Sequence, residues 1–136
     1  MLPREVFLSH SSADQNFVAE LADMLRRHGV AVWHAPVQIL GSQQWHDEIG
    51  AALRRCDWFV IVLSPQCLQS MWAKRELLFA LRDERYQKTI IPVLFQPCDY
   101  DQFSWTLAAY QFVDFTKDFD DGCRALLRVW GLGYQP

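Results

Sequence analysis

Apolar residues recur along this chain in two alternating rhythms, short runs of strand character and longer stretches at helical spacing. Glu5-Val6-Phe7-Leu8 is a β-prone run closed by the polar cluster Ser9-His10-Ser11-Ser12. Ser12 followed by Gln15 predicts a capping box, after which Phe17, Leu21, Met24, Leu25 and His28 repeat at helical spacing until Gly29 stops the pattern. Val30-Ala31-Val32-Trp33 predicts a second strand. The loop from His34 to Gln43 carries Pro36 and Gly41, which oppose regular structure, and Trp45, Ile49, Leu53 and Cys56 then mark a second amphipathic helix. From Trp58 to Leu63 the chain is apolar on both alternating faces, as in a parallel strand covered on both sides. Ser64-Pro65 ends it, and Ser70 predicts the cap of a helix from Met71 to about Arg85. Thr89 to Phe95 predicts a fourth strand whose Pro92 marks a locally unpaired edge. The stretch from Gln96 to Tyr110 carries little pattern, and Phe112-Val113 is a very short fifth strand. In the last helix Asp118, Asp120 and Asp121 favour the N-terminus, while Phe119, Cys123, Leu126, Leu127 and Trp130 form the buried stripe.

Strand and helix thus alternate about five times, which predicts an α/β fold with one parallel sheet and helices on both faces. The expected arrangement is a flavodoxin-like three-layer fold with five strands in the order 2-1-3-4-5. Ligands in such sheets bind beyond the C-terminal strand ends, at the switch between strands one and three. That places two segments at the expected site, Ser9 to Ser12 and Ser64 to Trp72.

Composition narrows the classes without naming a partner. The 136 residues suit one domain, 1–136, with Gly131 to Pro136 as the possible start of a linker. Thirteen basic against 16 acidic residues give a net charge of −3, so no broad basic face is offered to nucleic acid or an anionic membrane. The longest apolar run, Trp58 to Leu63, is too short to span a bilayer, and the first residues lack the pattern of a secretory signal. The expectation is a cytoplasmic protein with reduced thiols. Cys56, Cys67, Cys98 and Cys123 form no Cys-x-x-Cys pair, and His10, His28, His34 and His46 form no paired ligand motif, so no metal is expected.

Three constellations carry candidate chemistry. Trp72, Glu76 and Phe79 fall at i, i+4 and i+7 of the predicted helix, so a carboxylate shares a face with two aromatics near the switch point. Such a glutamate either lines a half-buried cleft, where burial raises its pKa and Lys74-Arg75 lower it, or solvates an exposed face. Ser9-His10-Ser11-Ser12 offers hydroxyls, an imidazole and backbone amides at a helix start, or only a helix cap with spare serines; the absence of glycine there excludes a phosphate loop. The ten-residue loop from His34 to Gln43, with Val37, Ile39 and Leu40, reads as a lid, a protein contact, or a loop tucked into its own core. A phosphoacceptor reading fails because Ser64-Pro65 stands where an aspartate would be required.

In four ordered boxes the chain resembles a Toll/interleukin-1 receptor (TIR) domain of the bacterial type. Phe7-Leu8-Ser9-His10-Ser11-Ser12-Ala13-Asp14 is similar to the first-strand box, and Val32-Trp33 leads into the BB loop. Val62-Leu63-Ser64-Pro65 resembles the third-strand box, and Trp72-Ala73-Lys74-Arg75-Glu76-Leu77 resembles the Trp-Cys-x-x-Glu-Leu motif, with alanine in place of cysteine. The resemblance implies cleavage of NAD⁺ at the nicotinamide–ribose bond, giving ADP-ribose or a cyclic isomer, with NAD⁺ as substrate and no cofactor. It implies Glu76 as the catalytic glutamate, and Ser9, His10, Trp33, His34 and Trp72 bordering the substrate. Val37, Ile39, Leu40 and Gly41 would belong to the loop that joins neighbouring protomers, although Ala35-Pro36-Val37 stands where many relatives carry acidic residues. Further implications are self-association, a sensor domain outside this chain and a role in bacterial antiviral defence. Two other readings stay open: a non-catalytic scaffolding TIR module, and a flavin-binding flavodoxin relative, against which the glycine-free loop after the first strand argues.

Overall fold

A computed structural model describes residues 2–35 and 42–136, with side chains from residue 46 onward in the second stretch. Five parallel strands, β1 (Val6–Ser9), β2 (Val32–His34), β3 (Trp58–Leu63), β4 (Ile90–Leu94) and β5 (Val113–Asp114), lie in the order β2-β1-β3-β4-β5. This is the expected flavodoxin-like order. Between them run α1 (Gln15–Arg27), α2 (Ser42–Arg55), α3 (Met71–Arg82), the single turn α4 (Tyr100–Phe103) and, after β5, α5 (Phe119–Arg128).

Alternation along the strands builds the two faces. Val6, Leu8, Val32, Val60, Val62, Ile91 and Val93 point to one side, where Val18, Leu21 and Leu25 of α1 and Leu126 and Leu127 of α5 cover them. Phe7, Phe59, Ile61 and Leu63 point to the other side, against Ile49 and Leu53 of α2 and Ala73, Leu77 and Ala80 of α3. β3 is covered on both faces, so its run from Phe59 to Leu63 is 0% exposed. That burial accounts for the continuous apolar reading of the segment.

Local chemistry sets the ends of the helices. Gly29 takes φ +83°, and the amides of Gly29 and Val30 bond the carbonyls of Arg26 and Leu25, closing α1 with a Schellman motif. The start of α1 departs from expectation. Ser11, rather than Ser12, accepts a bond from the Ala13 amide and caps a 3₁₀ turn over Ser12–Asp14, so the helix proper begins at Gln15. Ser70 caps α3 by accepting from the Ala73 amide at 3.2 Å. That helix ends at Arg82, because the Asp83 carboxylate caps a separate 3₁₀ turn, Glu84–Tyr86. The second strand starts two residues later than its apolar run. Pairing of β4 with β5 begins at Val93, the residue after Pro92, whose missing amide therefore falls where β5 has not yet started.

Asp118 caps α5 through a 3.0 Å bond from the Asp121 amide. One turn later Gly122 is buried against the Phe115 ring, with no room for a Cβ. Gly122→Ala is expected to lower stability by about 2 kcal/mol through overpacking, read as a shift in the urea midpoint with an unchanged slope. Among the described residues no helix is long and apolar enough to cross a membrane.

Candidate active site

The C-terminal ends of β1, β2 and β3 and the first turns of α3 meet at one edge of the sheet. Ser9 ends β1, and strand alternation turns its side chain to the same face as Phe7, beneath α3. Glu76 lies one and a half turns into α3, on the stripe that also buries Ala73, Leu77 and Ala80. The two meet across 67 positions of sequence: Ser9 Oγ donates to Glu76 Oε1 at 2.7 Å, and both residues are buried, at 1% and 7% exposure.

A carboxylate in this position loses most of its hydration. Burial pushes the Glu76 pKa up to about 7, and the Ser9 hydrogen bond, which favours the ionised form, opposes the shift only in part. Glu76 is thus a buried carboxylate rather than one solvating an exposed face, and burial is the larger of the two influences on it. The Lys74 ammonium is occupied elsewhere, donating to the Phe103 carbonyl and standing 5.1 Å from the Phe103 ring centroid.

Trp72 and Phe79 flank Glu76 on the outer side of the helix, at 38% and 39% exposure, and so present aromatic surface to solvent beside a buried acid. The Trp72 ring carries the Arg75 guanidinium at 5.5 Å. Trp33, in the middle of β2, stacks on Phe7 with ring centroids 4.9 Å apart, on the same side of the sheet as Ser9 and Glu76.

His10 and His34, also expected at the substrate site, directly follow Ser9 and Trp33 in the chain, and alternation turns them to the opposite face of the sheet. Their rings stand 6.1 Å apart, edge to face. His34 lies in the field of Arg26 and Asp23 of α1. Burial pushes the His10 pKa down to about 4, with the Leu8 carbonyl opposing and His34 adding to the shift. His34 is lowered too, through burial first and Arg26 second. Both shifts favour the neutral imidazole. Val37, Ile39, Leu40 and Gly41 lie outside the described residues.

A second polar contact at this edge, like the Ser9–Glu76 bond, was not legible in sequence. Asp14 is only 3% exposed, and its carboxylate accepts from Ser64 Oγ, which itself accepts from the Cys67 amide at 3.0 Å. The bond ties the loop after β1 to the loop after β3. Both residues stood in the quoted boxes, but nothing in their spacing paired them. Among the described residues no group of three or more His, Cys, Asp or Glu side chains gathers to hold a metal ion.

The arrangement can bind a sugar hydroxyl or stabilise positive charge at Glu76, with aromatic surface at Trp72 for a flat ring. A family model described as TIR domain matches residues 6–127. The chain is 26% identical over 91 residues to a 2′ cyclic ADP-D-ribose synthase of Bacteroides thetaiotaomicron, covering 65% of this chain and 32% of that protein. It is 30% identical over 91 residues to a 2′ cyclic ADP-D-ribose synthase of Acinetobacter baumannii, covering 65% of this chain and 34% of that one. The matched region thus spans about a third of these curated relatives. In fold it is similar to the crystal structure of the TIR domain of the Toll-related receptor TRR-2 from Hydra magnipapillata. That match has a TM-score of 0.74 at 20% identity and covers 91% of this chain and 95% of that one.

Proposed function

Because the chain belongs to the TIR domain family, we propose that it cleaves the nicotinamide–ribosyl bond of NAD⁺, with Glu76 as the catalytic carboxylate. The observation that carries this reading is the buried Glu76 carboxylate, held by Ser9 at 2.7 Å beside the exposed ring of Trp72.

One carboxylate suffices for this chemistry. The nicotinamide of NAD⁺ is a pyridinium that departs as a neutral molecule, so no acid is needed to protonate it, unlike the leaving group of an ordinary glycoside. As the bond lengthens, positive charge moves to the ribosyl C1′ and its ring oxygen. Ionised Glu76 accepts hydrogen bonds from the ribose hydroxyls and attracts that charge, in a setting where water is largely excluded. Trp72 stacks on the nicotinamide ring, and Trp33 borders the pocket on the β2 side. His10 and His34, shifted towards the neutral form and turned to the opposite face of the sheet, add no positive charge to repel the pyridinium. Water completes the reaction to ADP-ribose and a proton; a hydroxyl of the same dinucleotide gives a cyclic isomer, the product class for which the two bacterial relatives are named.

In this reading the protein acts as a self-associating effector in antiviral defence. Val37, Ile39, Leu40 and Gly41 contact the neighbouring protomer, a sensor lies outside residues 1–136, and the locale is the cytoplasm. The test is nicotinamide release from NAD⁺ at high protein concentration. Wild type should release it and Glu76→Ala should not. Equal rates would reject the assignment and leave a scaffolding module.

A further inference from the structure

α3 sets three side chains in close succession: Trp72, then Arg75 at i+3, then Glu76 at i+4. The Arg75 guanidinium carbon lies 5.5 Å from the Trp72 ring centroid, and no ion pair or hydrogen bond of Arg75 occurs among the described residues. The neighbouring cation, Lys74, is held by Phe103. Among the described residues Arg75, next to Glu76 in the chain, is thus a positive charge in no ion pair, and it rests on the ring that would meet the nicotinamide.

An indole attracts cations on both faces through the same quadrupole, so a guanidinium already on one face weakens the attraction of a second cation to the other. The substrate ring is such a second cation only until its bond breaks. The C1′–N1 electron pair then passes to the ring nitrogen, nicotinamide becomes neutral, and the positive charge moves to the ribosyl unit beside Glu76. Addition of water, with loss of one proton, completes the balance.

We propose that Arg75 is a positioning residue for this cleavage: it braces the Trp72 indole and, through it, favours neutral nicotinamide over the pyridinium. Arg75 at the ring end and Glu76 at the sugar end act on the migrating charge in the same sense. The inference rests on the function proposed above, with Trp72 as the stacking surface. Arg75 is exposed, so solvent reduces its influence to about fivefold in rate.

The test compares wild type, Arg75→Lys and Arg75→Met in NAD⁺ turnover. It also measures direct binding of nicotinamide and of N1-methylnicotinamide, the same ring carrying a fixed positive charge, by ligand NMR. Arg75→Met should lose about fivefold in kcat with KM unchanged or lower, and Arg75→Lys should recover most of the loss. Wild type should bind neutral nicotinamide more tightly than the methylated cation, and Arg75→Met should lose that preference. A higher KM with unchanged kcat in Arg75→Met, or no ring preference in wild type, would overturn the proposal. A wild type that releases no nicotinamide would reject the proposed function instead, and the binding comparison would still decide whether Arg75 discriminates by ring charge.

Discussion

Glu76→Gln should be inactive and yet more stable than wild type at pH 8. Glutamine keeps the shape of the side chain and can still accept from Ser9, so packing is preserved while the negative charge is lost. Removing the anion that meets the developing ribosyl charge should cost about 1,000-fold in NAD⁺ cleavage. The stability gain follows from linkage. Folding raises the Glu76 pKa from 4.5 to about 7, so between those values the unfolded chain releases its proton first and stability falls as pH rises. Above about pH 7 the full penalty, about 3 kcal/mol, is present, and below 4.5 it is absent. Glu76→Gln should therefore melt about 10 °C higher than wild type at pH 8, with the gap closing by about pH 4. Thermal melts followed by circular dichroism at the two pH values read this directly. A gap that does not change with pH would show that packing, not charge burial, separates the variants.

The same carboxylate should impose an acid limb on activity. With Glu76 required as the anion and its pKa near 7, kcat/KM should rise about tenfold per pH unit below neutrality and level off above pH 8. The Ser9 hydroxyl lowers that pKa by bonding the ionised form, so Ser9→Ala should move the midpoint up by about one unit. At pH 7 the variant should be about fivefold slower than wild type, and at pH 9 nearly equal to it. Recovery at high pH separates this effect from damage to the fold, which would depress activity throughout. A Ser9→Ala profile parallel to wild type would remove Ser9 from any role in tuning Glu76.

The features legible in sequence were those set by period. The apolar run of β3 and the helical stripes of α1 and α5 follow from local repetition, and the strand order from the strand–helix alternation; the i, i+4, i+7 spacing on α3 grouped Trp72, Glu76 and Phe79, whereas the fold buries Glu76 with Ala73, Leu77 and Ala80 and leaves the two aromatics exposed. What sequence did not reveal are contacts closed by the fold. The Ser9–Glu76 and Asp14–Ser64 bonds join residues 67 and 50 positions apart, and no spacing rule reaches that far. The helix cap moved from Ser12 to Ser11 because neighbouring serines are chemically equivalent and only the backbone turn chooses between them. The period of two carries one further signal: Ser9 and His10, like Trp33 and His34, are chain neighbours, so alternation turns the members of each pair to opposite faces of the sheet. The stretch from Gln96 to Tyr110 patterned weakly because α4 is one turn long and the 3₁₀ turn Trp105–Ala109 has no sustained stripe.

The Asp14–Ser64 bond has a mechanical consequence. The bond couples the loops after β1 and β3, so that displacing either one loads the other. A redesign of substrate preference that grafts a new segment onto one of these loops would inherit the other as part of the same component.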